Sequence, residues 1–313
     1  MLSIRTIDLT KQFDAHTAVH NVDLQVASGE VYGLIGPNGA GKTTLIRMLA
    51  AAEEPTFGEI YIEGTKLQFD RSNQELKTHL GYLPDDYPLY DDLSVWDYLD
   101  YFARLYGLHE PQRTRRLQEV LELVSLIPKR QSQIKTLSRG MKQRLSLART
   151  VIHEPKLLLL DEPVSGLDPI ARLEFRQIIK ALRANGMTVL ISSHVLSDLA
   201  ELCTSVGIME LGYLVESTSL EDLYARLSRQ QIILASLGAV EDLKAALRDC
   251  SEVDDIEVLP GTSQVRVQFN GTPEQSAALL RSLVEAGIPL KEFHCTREDL
   301  ETIFLKLDHK QAS

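Results

Sequence analysis

The sequence predicts an α/β protein, a sheet core with parallel strands followed by a small α+β C-terminal domain. Three short runs, VYGLIG (31–36), KLLLLDEP (156–163) and GMTVLISSH (186–194), are apolar on all sides, as strands buried on both faces must be. A helical pattern, ARLEFRQIIKALRANG, separates the second from the third, giving the β–α–β rhythm of a parallel sheet. The chain of 313 residues, 44% hydrophobic and 25% charged, is long enough for one large core and a smaller second one.

Taken in order, SIRTIDLTKQF alternates apolar and polar residues and reads as a strand, and HNVDLQVASGE continues in strands up to VYGLIG. TTLIRMLAA follows with helical spacing. Residues 85 to 150 are helix-rich, and LSVWDYLDYFARLYGL concentrates their aromatics, by default as helical core. The character changes after about residue 217. QQIILASLG, VEDLKAALRDC, QVRVQFNG, TPEQSAALLRSLVEAG and PLKEFHC read as strand, helix, strand, helix, strand, and REDLETIFLKL as a closing helix. The expected domains are therefore 1–217 and 218–313.

A formal net charge of −11 argues against a non-specific nucleic-acid binder, which needs clustered positive charge. Cys203, Cys250 and Cys295 lie far apart with no metal-ligand spacing, so they read as free thiols of a reducing compartment. The N-terminus, MLSIRTIDLTKQF, lacks the apolar stretch of a signal peptide, and no segment approaches the roughly 18 apolar residues of a membrane span. Any membrane role is expected to be exercised from the cytosolic side, with a partner supplying the span.

The first chemistry-bearing motif is GPNGAGKTT, Gly36 to Thr44, which satisfies G-x-x-x-x-G-K-[ST] between a strand and a helix. Glycines let backbone N–H groups converge on phosphates, and the following helix presents its positive end. Gly36, Pro37, Asn38, Gly39, Ala40, Gly41, Lys42, Thr43 and Thr44 are thus the expected nucleotide loop. Lys42 is expected to reach the β- and γ-phosphates and Thr43 to ligate Mg²⁺. LLLLDE supplies the acids such a site needs: Asp161 as metal ligand, Glu162 as the base or water-orienting group.

A basic island, KTLSRGMKQRLSLAR (135–149), lies in a stretch without Asp or Glu from 123 to 153. Ser138 is a natural N-cap, so the helix it opens points free N–H groups at an anion.

These motifs occur in a fixed order, and residues 2 to about 217 resemble the ATP-binding subunit of an ABC transporter. LSRGMKQRL (137–145) is similar to the ABC signature, SGLD (165–168) to the D-loop, and His194 in LISSHVL to the switch histidine. Phe13 matches the aromatic that stacks on adenine. The resemblance implies a P-loop NTPase of ABC type, with an N-terminal antiparallel β subdomain and a helical subdomain at about 85–150. It implies ATP and Mg²⁺, catalytic roles for Lys42, Glu162 and His194, and a head-to-tail dimer in which Ser138 and Gly140 of one copy clamp the γ-phosphate held by the other. A second ATPase subunit, a homodimer being expected, and an integral membrane permease are the implied partners; no nucleic acid is.

Two departures stand out. Asp85, in GYLPDDY, replaces the family's Gln, and is expected to ligate Mg²⁺ directly or through water. Arg139, with Met141 in place of a Gln, adds a cation to the signature, and is expected to tighten the ATP-bound dimer. The C-terminal segment resembles the accessory domain of exporter-like members, with a dimer-stabilising or regulatory role; His294, Cys295 and Glu298 are expected to be structural there. The alternative reading is a soluble ABC ATPase acting on nucleic acid or ribosomes. Single P-loop content and the short segment between P-loop and signature speak against it, and Glu162 with His194 speaks against a regulator without turnover.

Overall fold

In β1 (Leu2–Phe13) the alternation buries Ile4 and Thr6, then slips by one so that Leu9, not Asp8, faces inward. Asp8 sits at positive φ (48°), and the pairing with the neighbouring strands shifts register there, as at a bulge. β2 (His16–Val22), β3 (Gln25–Ala27), β4 (Val31–Ile35), α1 (Lys42–Leu49), β5 (Phe57–Ile62) and β6 (Thr65–Lys66) follow. β1 pairs antiparallel with β2, β3 and β5, and β6 extends β5, forming the N-terminal antiparallel sheet. The computed structural model describes residues 1–69, 73–195, 199–227, 230–248, 250–259 and 262–297.

α2 (Gln74–Thr78) and β7 (Leu80–Leu83) lead into a helical region of α3 (Val95–Leu105), α4 (Gln112–Leu123) and α5 (Arg139–Val151). Ser94 starts α3 by accepting from the Asp97 amide. Apolar residues at helical spacing face one another here: Val95, Tyr98 and Leu99 on α3, Leu117, Val120 and Leu121 on α4, and Leu145, Ala148 and Val151 on α5 are all buried. Each buried large aliphatic contributes about 1.5–3 kcal/mol, so the region is held by its core.

β8 (Leu157–Leu160), α6 (Pro169–Ala184), β9 (Thr188–Ser193), β10 (Ser205–Glu210) and β11 (Tyr213–Ser219) complete the second sheet, in the order β11-β10-β4-β9-β8-β7. β10, β4, β9, β8 and β7 are parallel, and β11 is an antiparallel edge. Every residue of β4, β8 and β9 is buried, which is why these strands read as unbroken apolar runs. Parallel strands end on one edge, so the segments after β4, β7, β8 and β9 collect there: Gly36–Gly41, Asp85, Asp161–Glu162 and His194.

By contacts the chain divides into Met1–Leu220 and Glu221–Ser313. After α7 (Leu220–Leu227) the second unit runs β12 (Gln230–Ser236), α8 (Val240–Arg248), β13 (Val253–Val258), β14 (Gln264–Phe269), α9 (Pro273–Glu285) and β15 (Leu290–Arg297). The order β13-β14-β12-β15, antiparallel throughout, is the split β-α-β arrangement of ferredoxin-like folds. Ile232, Leu234, Val265, Val267 and Phe269 of the sheet bury against Leu243, Leu247, Leu279 and Leu283 of α8 and α9. Thr272 and Gln275 close a capping box on α9. Two elements depart from the sequence expectation. β13, VDDIEV, has three acids and none of its residues fully buried, an edge-strand pattern that composition hides; α7, Leu220–Leu227, is a helix the sequence reading did not assign. The expected closing helix REDLETIFLKL lies outside the described residues from Glu298 onward.

Candidate nucleotide site

The turn between β4 and α1 is fixed by its surroundings as well as by glycine chemistry. Gly41, the N-cap of α1, holds φ +99°, and a Cβ there would come within 2.3 Å of the Ala18 carbonyl oxygen on β2. Both the left-handed backbone and the close approach demand glycine. No side chain caps α1, and its first turn carries no acid. Pro37, Asn38 and Gly39 are exposed at the tip, while Gly36, Ala40 and Lys42 are buried. The Gly212 amide donates to the Ala40 carbonyl at 3.1 Å, tying the loop to the β10–β11 hairpin.

Lys42 folds back into its own loop, its ammonium donating to the carbonyls of Gly36 (2.7 Å) and Pro37 (3.1 Å) and standing 3.6 Å from Glu162 Oε1. Thr43 and Asp161 meet where α1 faces the end of β8: Thr43 Oγ1 donates to Asp161 Oδ1 at 3.2 Å. Asp161 is buried, and that burial, with the fields of Glu162 and Asp85, holds its carboxyl above the usual range despite the hydroxyls of Ser192 and Thr43. Thr44 is half-buried in the first turn of α1.

Glu162 is held by three groups. Its carboxylate lies between Lys42 and His194, whose Nδ1 is 2.8 Å from Oε2, and its amide donates to Ser192 Oγ at 2.9 Å. Its backbone sits at φ +48°, sparsely populated for a residue with a side chain. Ser192, at the end of β9, donates its own hydroxyl to Asp161 Oδ1 at 2.8 Å and so positions both acids. The sequence reading missed Ser192; the signal was a pair of serines closing an otherwise apolar strand.

The other expected residues stand around this network. Phe13, 43% exposed at the end of β1, presents its ring to solvent with the Lys11 ammonium 4.8 Å from the ring centre. Asp85 is exposed on the rim of a cleft of about 530 Å³, which Glu162, Ser165, Arg139 and Lys142 also line. Among the described residues no three His, Cys, Asp or Glu side chains form a metal cluster. The donors assembled are instead a hydroxyl and a buried carboxylate, oxygen groups suited to a hard cation with phosphate oxygens completing its shell.

Ser138 and Gly140 make their contacts elsewhere. Ser138 caps α5, accepting from the Met141 amide at 3.3 Å. A Cβ on Gly140 would come within 2.7 Å of Ala171 Cβ, so packing of α5 on α6 already demands glycine, beyond the approach to a ligand that the sequence suggested. Arg139, exposed at the start of α5, bonds within its own chain: its Nη2 donates to the Ser165 carbonyl at 2.9 Å. In the second unit His294 and Cys295 are adjacent on β15, so their side chains leave opposite faces of the sheet and do not converge; Glu298 lies outside the described residues.

A glycine loop opening an uncapped helix, with a bonded Thr43–Asp161 pair and the Glu162 carboxylate at the same strand edge, is the arrangement expected of a P-loop ATPase. The family model for ABC transporters matches residues 19–165. The ABC transporter ATP-binding protein YxlF of Bacillus subtilis is 36% identical over 311 residues, 99% of this chain and 100% of the relative. The bacitracin transport ATP-binding protein BcrA of Bacillus licheniformis is 34% identical over 306 residues, 97% of this chain and 96% of the relative. A solved ATP-binding subunit of an ABC transporter superposes with TM-score 0.64 at 31% identity, over 72% of this chain and 93% of that one. The chain belongs to the ABC transporter ATP-binding proteins, and it is an ATP-hydrolysing, energy-coupling subunit. Among the described residues no helix is long and apolar enough to cross a membrane.

Proposed function

We propose that the chain powers an exporter as one half of a head-to-tail pair, seated on the cytosolic face of a membrane permease. The observation that carries this is the Lys42–Glu162–His194 line of contacts beside the buried Asp161, with the capped start of α5 making none of those contacts. A chain with one phosphate loop and one signature helix completes two composite sites by pairing with a second copy. Export is supported by relatives named for bacitracin transport and linearmycin resistance, the latter 30% identical over 96% of this chain. Those names, one for transport and one for resistance, favour this reading over a soluble ATPase acting on nucleic acid.

In this reading Lys42 exchanges its carbonyl contacts for the β- and γ-phosphate oxygens, where its charge offsets theirs. Phe13 stacks on the adenine. Thr43 and Asp161, with Asp85 directly or through water, hold Mg²⁺, which neutralises phosphate charge when bound. Glu162 orients a water in line with the γ-phosphorus and accepts its proton as the bond to ADP breaks. His194 fixes the Glu162 rotamer and contacts the γ-phosphate. Ser138 and the Gly140 amide of the second copy close over that phosphate from the other side, completing the cage.

Glu162→Gln keeps the shape of the side chain but removes the base. With saturating ATP and Mg²⁺ the variant is expected to hydrolyse about 10²- to 10⁴-fold more slowly and to accumulate as a dimer by light scattering. A monomer under those conditions would sink the paired-site reading.

A further inference from the structure

Arg139 is the residue of the signature turn that the nucleotide chemistry leaves unexplained. Its Nη2 reaches across 26 positions of sequence to the Ser165 carbonyl, at 2.9 Å. The rest of the guanidinium lies over the next residue: a Cβ built on Gly166 would come within 2.5 Å of Nη1, 2.6 Å of Nη2 and 2.7 Å of Cζ. Three atoms at nearly equal distance mean that the group lies across the Gly166 Cα, not merely against it with one tip. Gly166 also holds φ +65°, where a side chain is strained, and a methyl added there would have to push the guanidinium aside.

The turn in question directly follows Glu162. Ser165 donates its amide to the Glu162 carbonyl (3.1 Å) and Leu167 to the Val164 carbonyl (3.2 Å), with Val164 and Leu167 buried. Two of its carbonyls are taken by arginines from different helices, Ser165 by Arg139 at the start of α5 and Leu167 by Arg172 Nε (3.0 Å) on α6. Beneath them Gly140 packs on Ala171, where Asp168 caps α6 through the Ile170 and Ala171 amides.

We propose that Arg139 is a positioning residue that clasps the 165–166 turn to the start of α5. The helix offered to the second ATP and the loop behind this chain's own Glu162 then move as one body. The inference rests on the roles given above to Glu162 and α5. Displacement of α5 as it engages a nucleotide is passed to backbone three residues beyond the base. A guanidinium suits the task because its fork bonds the carbonyl while its flat face covers the glycine; a lysine supplies the bond without the cover.

The test compares the full chain with Arg139→Ala, Arg139→Lys, Gly166→Ala and the Arg139→Ala/Gly166→Ala pair, by amide hydrogen exchange over residues 163–169 and by ATP turnover. In Arg139→Ala the Ser165 and Leu167 amides are expected to exchange roughly three- to tenfold faster, the scale of one lost hydrogen bond. The kcat is expected to fall by a similar factor with KM for ATP unchanged, and Arg139→Lys to recover part of both. Gly166→Ala places its methyl where the guanidinium lies and displaces it, so adding Arg139→Ala to that background changes nothing further. Unchanged exchange in Arg139→Ala, additive effects in the pair, or a raised KM with kcat intact (a cation serving the partner's nucleotide instead) would each overturn the clasp. Exchange is read without hydrolysis. An error in the role of Glu162 would instead appear as undiminished turnover in Glu162→Gln, with the exchange result standing.

Discussion

Helix α1 begins at Lys42 after a left-handed Gly41 with no side chain on its first amides, whereas α5 begins after Ser138, whose hydroxyl accepts from the Met141 amide at 3.3 Å. Neither first turn contains an acid, so both helices keep their positive ends uncompensated. In α1 no side chain takes the first amides, and the loop is held open by packing: the Ala18 carbonyl against Gly41 and the Gly212 amide on Ala40. In α5 the cap is internal, and packing of Gly140 on Ala171 anchors the turn to α6. The difference teaches that a helix end left without a side-chain cap must be shaped by neighbouring backbone. One closed by its own side chain takes its shape from that cap and from the helix packed beside it.

The largest effect is expected at Lys42, the charge inside the α1 loop. Lys42→Ala should lower ATP hydrolysis by about 10²- to 10³-fold, the usual result of removing one preorganised electrostatic contact, measured as phosphate release at saturating ATP. Retained turnover would break the comparison, because α1 would then not be the phosphate end.

Asp161→Asn should abolish metal-dependent hydrolysis and yet stabilise the fold. Thr43 and Ser192 both donate to Oδ1, which an asparagine keeps, while the buried charge is lost. Since burial raises the Asp161 pKa, the native state binds its proton more tightly than the unfolded chain does, and stability falls as pH rises above the ordinary carboxylate range. The variant is expected to melt about 2–4 °C higher at pH 7 in EDTA, the equivalent of ~1 kcal/mol, with the gap narrowing as the pH falls towards 4. An equal or lower melting temperature at pH 7 would show the carboxylate to be solvated.

Gly41→Ala tests the shaping of α1 by neighbouring backbone. The methyl meets the Ala18 carbonyl, a backbone group that cannot swing aside, in a conformation costing about 1 kcal/mol or more for a side-chain-bearing residue. Lower melting temperature together with weakened ATP binding is expected, by thermal scan and by titration with a fluorescent ATP analogue. The smallest effect belongs to Ser138→Ala, which removes the cap of α5 and should cost about 1 kcal/mol of stability. ATP-driven dimerisation of the Glu162→Gln background should weaken alongside, with nucleotide affinity of the monomer unchanged. Loss of monomer affinity instead would place Ser138 in its own chain's site.

The strands and the motifs were legible for physical reasons that differ from one another. β4, β8 and β9 are buried on both faces, so burial wrote itself into unbroken apolar runs; β13, an edge strand with solvent on one side, left the acidic string VDDIEV that carries no such mark. Lys42, Thr43, Asp161, Glu162 and His194 could be singled out as candidates because each sits at a fixed offset from a strand end. Ser192 was not found, since its importance lies in bonding two acids 30 and 31 positions away, a relation no local pattern contains. The reading of Arg139 shows the same limit. Its charge in the signature suggested a part in the ATP-bound dimer, and its bond to the Ser165 carbonyl, 26 positions away, is a contact no local pattern contains.

By itself, then, the sequence determined the periodicities, the glycine-bearing phosphate loop and the order of polar residues at strand ends, because these follow from local backbone preference and from which faces must be dry. Tertiary structure alone decided that the four strand ends converge on one edge, that Lys42 and His194 both reach Glu162, and that Arg139 turns to Ser165 and Gly166. Those relations join residues far apart in the chain, and only the folded register and close packing of sheet and helices fix the distances between them.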